Sequence, residues 1–198
     1  MSKKCFCALL ILAANLAMAE DVPQPFKMPD AYSVEIAYSS NGEKRNSKYF
    51  FSNRSYRVET RYDDKDIITL FDAAKNRAYT VFPNQKAYLS TQMATDVSEP
   101  FAPPSNAQWR LIGKESVNGQ MCEKYECKMT SKNDEKTILH YWIRETDKLP
   151  LRATVEDTTL EWSNFNVGAQ SADLFLPPKD FKERIVPGEL PDEKESKD

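Results

Sequence analysis

Residues 31–42, AYSVEIAYSSNG, decide the fold. Tyr32, Val34, Ile36 and Tyr38 alternate with Ser33, Glu35 and Ala37. A period of two gives an extended strand one apolar and one polar face. Asn41-Gly42 then supplies two residues that tolerate positive φ, as a tight hairpin requires. The signature continues downstream. Tyr56, Val58, Thr60 and Tyr62 alternate with Ser55, Arg57, Glu59 and Arg61. Asp63-Asp64-Lys65 interrupts the run, and residues 67–71 follow, apolar on both faces as a central strand is. Turns at 73–76 and 83–85 set off strands at 77–82 and 86–91. Further strands are predicted at 109–117, 120–130, 137–144, 151–156 and 159–167, with Asn118-Gly119 turning the first pair. About eleven short strands joined by short turns require antiparallel neighbours, because parallel ones need a long crossover. The expected fold is mainly β: a curved antiparallel sheet or unclosed β-barrel with little helix. The long irregular stretch is 92–108, with Pro100, Pro103 and Pro104; its first half has room for one short helix or lid.

The whole chain has 198 residues, room for one domain, and its 40% apolar residues can supply a core. A formal charge of −3 without a basic run argues against nucleic-acid binding. Lys3 and Lys4 precede an apolar stretch, residues 5–19, that ends in Ala17-Met18-Ala19. That stretch is short of the roughly 20 residues of a membrane span, and its order reads as a cleaved secretory signal. Residues 1–19 are therefore assigned as signal peptide, with cleavage after Ala19 and a periplasmic mature protein that has no membrane span. Residues 20–30, with Pro23, Pro25 and Pro29, form an extended lead-in, and 31–178 the β domain. Residues 179–198 hold 5 basic and 7 acidic side chains and read as a charged, disordered tail that buries little apolar area.

Cleavage leaves Cys122 and Cys127. Export favours a disulfide. A continuous strand over 120–130 would hold them about 16 Å apart, too far for one. Either the chain turns between them or the thiols stay free; the alternation there favours the strand.

No phosphate-cradling glycine loop, nucleophile elbow or paired-histidine motif occurs. The single His140 lies between Leu139 and Tyr141 without a partner in sequence that would make it a general base. No catalytic residue, metal ligand or cofactor is assigned, and an enzyme is not expected.

Gly113-Lys-Glu-Ser-Val-Asn-Gly119, Cys122-Glu-Lys-Tyr125, Tyr141-Trp-Ile143, Leu149-Pro-Leu-Arg152, Asn164-Phe165 and Leu174-Phe175 occur in an order that resembles a group of exported bacterial proteins of unknown function. Their fold is similar to the LolA/LolB lipoprotein carriers, an unclosed antiparallel barrel whose concave face takes acyl chains. The resemblance spans roughly residues 31–178. It implies a non-enzymatic periplasmic carrier or chaperone for a lipid or lipoprotein acyl chain. The alternative on the same fold is an envelope stress-sensing or interaction module that binds a protein through a sheet edge. For the carrier, alternation selects Tyr32, Ile36, Tyr56, Val58, Tyr62, Phe71, Leu139, Tyr141 and Trp162 as the concave lining.

Overall fold

The computed structural model describes residues 21–62, 64–93, 101–103, 107–130 and 136–184. The signal peptide expected at 1–19 and the first half of the expected lid, 94–100, lie outside these residues. Two-residue strands, β1 (Asp21–Val22) and β13 (Lys182–Glu183), pair at the two ends of the sheet. Its body is built from β2 (Ala31–Ser40), β3 (Glu43–Ser52), β4 (Ser55–Tyr62), β5 (Lys65–Asp72), β6 (Arg77–Phe82), β7 (Ala87–Gln92), β8 (Gln108–Val117), β9 (Gln120–Thr130), β10 (Lys136–Arg144), β11 (Pro150–Val155) and β12 (Thr158–Val167). The order across the sheet is β1-β8-β9-β10-β11-β12-β2-β3-β4-β5-β6-β7-β13. Two antiparallel meanders, β2 to β7 and β8 to β12, are thus zipped together where β12 pairs with β2. The sheet ends in separate edges, so the barrel is unclosed, as the resemblance implies.

Turn chemistry sets the hairpins. Asn41-Gly42 has φ values of 50° and 82°, and Asn118-Gly119 has 49° and 78°. Both central residues lie at positive φ, which matches the right-handed twist of the flanking strands. Asn53-Arg54 joins β3 to β4 with φ of 50° and 65°, so an arginine occupies a position where glycine is the ordinary choice.

The main core lies on one face, the concave one. It gathers Tyr32, Val34, Ile36, Tyr49, Phe51, Trp109, Tyr125, Cys127, Ile143 and Trp162, together with Phe26 and Met28 from the lead-in. A second cluster of Leu70, Tyr79 and Val81 lies on the convex face and is covered by Phe181. This explains why residues 67–71 are apolar on both sides. The covering segment comes from the C-terminus. Arg57 donates to the Leu174 carbonyl at 3.1 Å, Phe175 is buried, and β13 then runs parallel to β7. The Lys182 amide donates to the Lys86 carbonyl at 3.0 Å and the Arg184 amide to the Tyr88 carbonyl at 2.8 Å. The stretch expected to be a solvated tail from 179 is therefore hydrogen-bonded to the sheet through Arg184, with its charged side chains exposed; Phe181 supplies the apolar area that the charge count conceals. Residues 185–198 lie outside the described residues.

Candidate functional site: the concave face

Register fixes which side chains share the concave face. Tyr32, Phe51, Tyr56 and Phe71 stand opposite one another across β2 to β5, and Val34, Tyr49 and Val58 form the next row. Ile36 is opposite Trp162, Tyr141 opposite Tyr125, and Cys127 opposite both Leu139 and Trp109. Opposed residues of an antiparallel pair project to the same side. Tyr32, Ile36, Tyr56, Val58, Tyr62, Phe71, Leu139, Tyr141 and Trp162 consequently all project from one face. Tyr32, Ile36, Phe71 and Trp162 are buried, and Tyr56, Val58, Leu139 and Tyr141 are half-buried. Tyr62 differs. It is 44% exposed at the end of β4, with the Arg45 guanidinium 4.5 Å from its ring centre, and so belongs to the rim.

The face is filled by the chain itself. Phe26 sits edge-on to Trp109 at 6.0 Å and beside Tyr141 at 5.6 Å between ring centres. Met28 is buried in the same cluster. Phe101 packs edge-on against Tyr49 at 4.8 Å and Trp162 at 6.0 Å. Alternation within strands could not reveal these occupants, because they come from segments outside the sheet. A weaker signal existed: Val22, Phe26 and Met28 fall at even positions of a proline-punctuated stretch. Little else holds the lead-in. Among the described residues its hydrogen bonds are internal, from Gln24 Nε2 to the Phe26 carbonyl at 2.9 Å and from Lys27 to Asp30 at 3.2 Å. Before it, β1 pairs only Asp21 and Val22 with Arg110 and Trp109.

The site is largely aromatic and aliphatic, with Glu123, paired with Lys148 at 2.7 Å, on the same face. Burial pushes the Tyr141 hydroxyl up to about 12 and the Cys127 thiol up to about 11. Burial also raises Tyr125 to about 12, and its hydroxyl donates to Glu123 at 2.9 Å. Two indoles differ in their partners. The Trp162 indole N–H is buried and meets no acceptor among the described residues, whereas the Trp142 N–H donates to Glu115 at 3.0 Å. A buried donor left unpaired costs about 1–3 kcal/mol.

The two cysteines resolve the alternative the spacing left open. Both are buried free thiols in one unbroken strand, Cys127 opposite Leu139 on the concave side and Cys122 opposite Arg144 on the convex side. His140 faces outward, its ring 6.4 Å from that of Trp142. Among the described residues no three His, Cys, Asp or Glu side chains come together as metal ligands do, and no helix is long and apolar enough to cross a membrane. An open cleft of about 380 Å³ near β4 and β5 is lined by Lys48, Glu59, Arg61 and Asp66 among others, with Arg61 and Asp66 paired at 3.7 Å. Its charged lining marks it as solvated surface rather than as part of the apolar site.

Residues 33–149, from β2 to the end of the turn before β11, match the family model described as Domain of unknown function (DUF4412). The chain belongs to the DUF4412 family. Phe26, Met28 and Trp162 lie outside the matched segment. No curated protein matches the sequence. Among solved structures, the chain is similar to an uncharacterized conserved protein from Thermus thermophilus, at 15% identity and a TM-score of 0.56, over 79% of this chain and 91% of that one. It is also similar to the lipoprotein LppX of Mycobacterium tuberculosis, at 11% identity and 0.45, over 70% and 88%. A LolA superfamily protein from Nitrosomonas europaea matches at 10% identity and 0.40, over 76% and 92%. The DUF4412 chain has the expected unclosed antiparallel fold, shared in outline with the Thermus thermophilus protein.

Proposed function

We propose that this DUF4412 protein is a non-enzymatic binding protein of the periplasm that carries an acyl chain of a lipid or lipoprotein on its concave face. The observation that carries this reading is the Trp162 N–H, a buried donor without an acceptor among the described residues on a face built mainly of aromatic and aliphatic side chains. An apolar surface with a few placed polar groups is the ordinary make-up of a small-molecule site. An acyl group matches this one: its chain fits the aromatic rows and its carbonyl accepts from the indole. The reading is tested by native mass spectrometry of the protein purified from its own envelope. A co-purified acyl lipid is expected, and its loss in Trp162→Phe ties the lipid to the indole. Protein that emerges without lipid, and that takes up no fluorescent fatty acid in vitro, overturns the reading.

A second reading, docking of an envelope protein through a sheet edge, is favoured by β8. Beyond Trp109 and Arg110 that strand has no partner on its outer side among the described residues, and Leu111 and Ile112 are 38% and 39% exposed there. A stoichiometric protein partner in the same spectrum, with no lipid, is its signature.

A further inference from the structure

We infer that the acyl site, if occupied as proposed above, takes one unbranched chain of about 10–12 carbons, seated where Phe26 and Met28 now lie. The inference rests on that reading and adds the ligand's size and its route of entry. Phe26 and Met28 are 4% and 6% exposed, yet they belong to a stretch without regular structure. Their side chains together contain about eleven heavy atoms, the bulk of one medium acyl chain rather than of a multi-chain lipid. Phe26 lies against Trp109 and Tyr141, and the cluster that also holds Met28 continues through Cys127 and Leu139, all uncharged.

The attachment of this segment is what makes it exchangeable. A strand is held by a ladder of backbone hydrogen bonds, whereas residues 23–30 make none to the sheet among the described residues. What retains them is apolar burial, the interaction an acyl chain reproduces in kind. The two-residue β1 keeps the displaced segment tethered. Entry of a chain therefore exchanges one apolar occupant for another and leaves the sheet intact.

The test uses the mature full-length protein and saturated fatty acids from eight to eighteen carbons, competing with a fluorescent fatty acid. Affinity is expected to rise up to roughly fourfold per methylene and to level off near twelve carbons. Phe26→Ala, which shrinks the occupant, is expected to bind dodecanoate about tenfold more tightly. In the wild type, dodecanoate is expected to speed hydrogen exchange at the amides of residues 24–30, a readout that does not depend on the variant folding. Affinity that still climbs at sixteen carbons, an unchanged Phe26→Ala, or exchange at 24–30 that slows on binding each overturns the inference while leaving an acyl carrier standing. If no chain of any length binds, the proposed function itself fails.

Discussion

Ending the chain at Lys179 removes Phe181 and β13, and the structure gives the size of the effect. Phe181 is half-buried over Leu70, Tyr79 and Val81, of which Leu70 and Val81 are 0% exposed. Full burial of a phenylalanine is worth up to about 3 kcal/mol, so partial burial contributes roughly 1–2 kcal/mol. The two backbone hydrogen bonds onto β7 add about 1 kcal/mol each. The Lys86–Asp180 pair is 72% and 65% exposed and adds next to nothing. Truncation at Lys179 should therefore cost about 3–4 kcal/mol and lower Tm by roughly 10 °C in a domain of this size. Phe181→Ala alone should lose about 1–2 kcal/mol. The measurement is thermal melting by far-UV circular dichroism, with a chain ending at Arg184 as reference. If the Lys179 truncation melts within about 1 °C of that reference, the C-terminal segment does not stabilise the convex face and the packing argument is refuted.

Three more outcomes follow from the concave face. Val58→Asp places a carboxylate beside Tyr49 and should abolish uptake of a fluorescent fatty acid, at a stability cost of about 2 kcal/mol; a folded variant that still takes up the probe would separate this face from binding. Cys122 and Cys127 should both titrate as free thiols in denaturant and resist alkylation at pH 8 in the folded protein, because burial raises both; rapid native labelling would contradict their placement. Stability should fall between about pH 9 and pH 12. Cys127, Tyr125 and Tyr141 ionise at higher pH folded than unfolded, so the unfolded chain loses protons first and alkali favours it. Urea midpoints that stay flat from pH 8 to 11 would refute that assignment.

The fold was legible because its controlling signals are local. Alternation across Tyr32 to Tyr38 fixes which face is buried, and Asn-Gly pairs at 41–42 and 118–119 fix where the chain reverses. A slip of one residue would turn every such side chain to the wrong face, so register follows directly from pattern. For the same reason Cys122 and Cys127, five residues apart in one strand, had to face opposite ways. Alternation was silent on β1 and β13, whose pairs of residues are too short to show a period. The joining of β12 to β2 was hidden as well, since it links residues more than a hundred positions apart.

The candidate site was legible only as a wall. Strand periodicity picked out side chains that share one face but could not say what lies against them, because the occupants reach the face from segments without a period. Leu70 and Phe71 show the consequence most directly. They are adjacent in sequence and equally buried on opposite faces, which reads as a central strand between two layers. The convex layer is a piece of the C-terminal segment, Phe181 over Leu70, while on the concave side Phe71 packs on Tyr56, which adjoins the cluster that Phe26, Met28 and Phe101 fill. The two coverings differ in how they are held. The C-terminal one adds backbone hydrogen bonds to a neighbouring strand, and the N-terminal one relies on apolar burial beyond its two-residue strand. A covering bonded into the sheet stabilises the fold whatever else binds. A covering retained by apolar contact can be replaced by anything apolar of the same bulk, and this favours exchange on the concave side, in the same cluster as the buried indole N–H of Trp162.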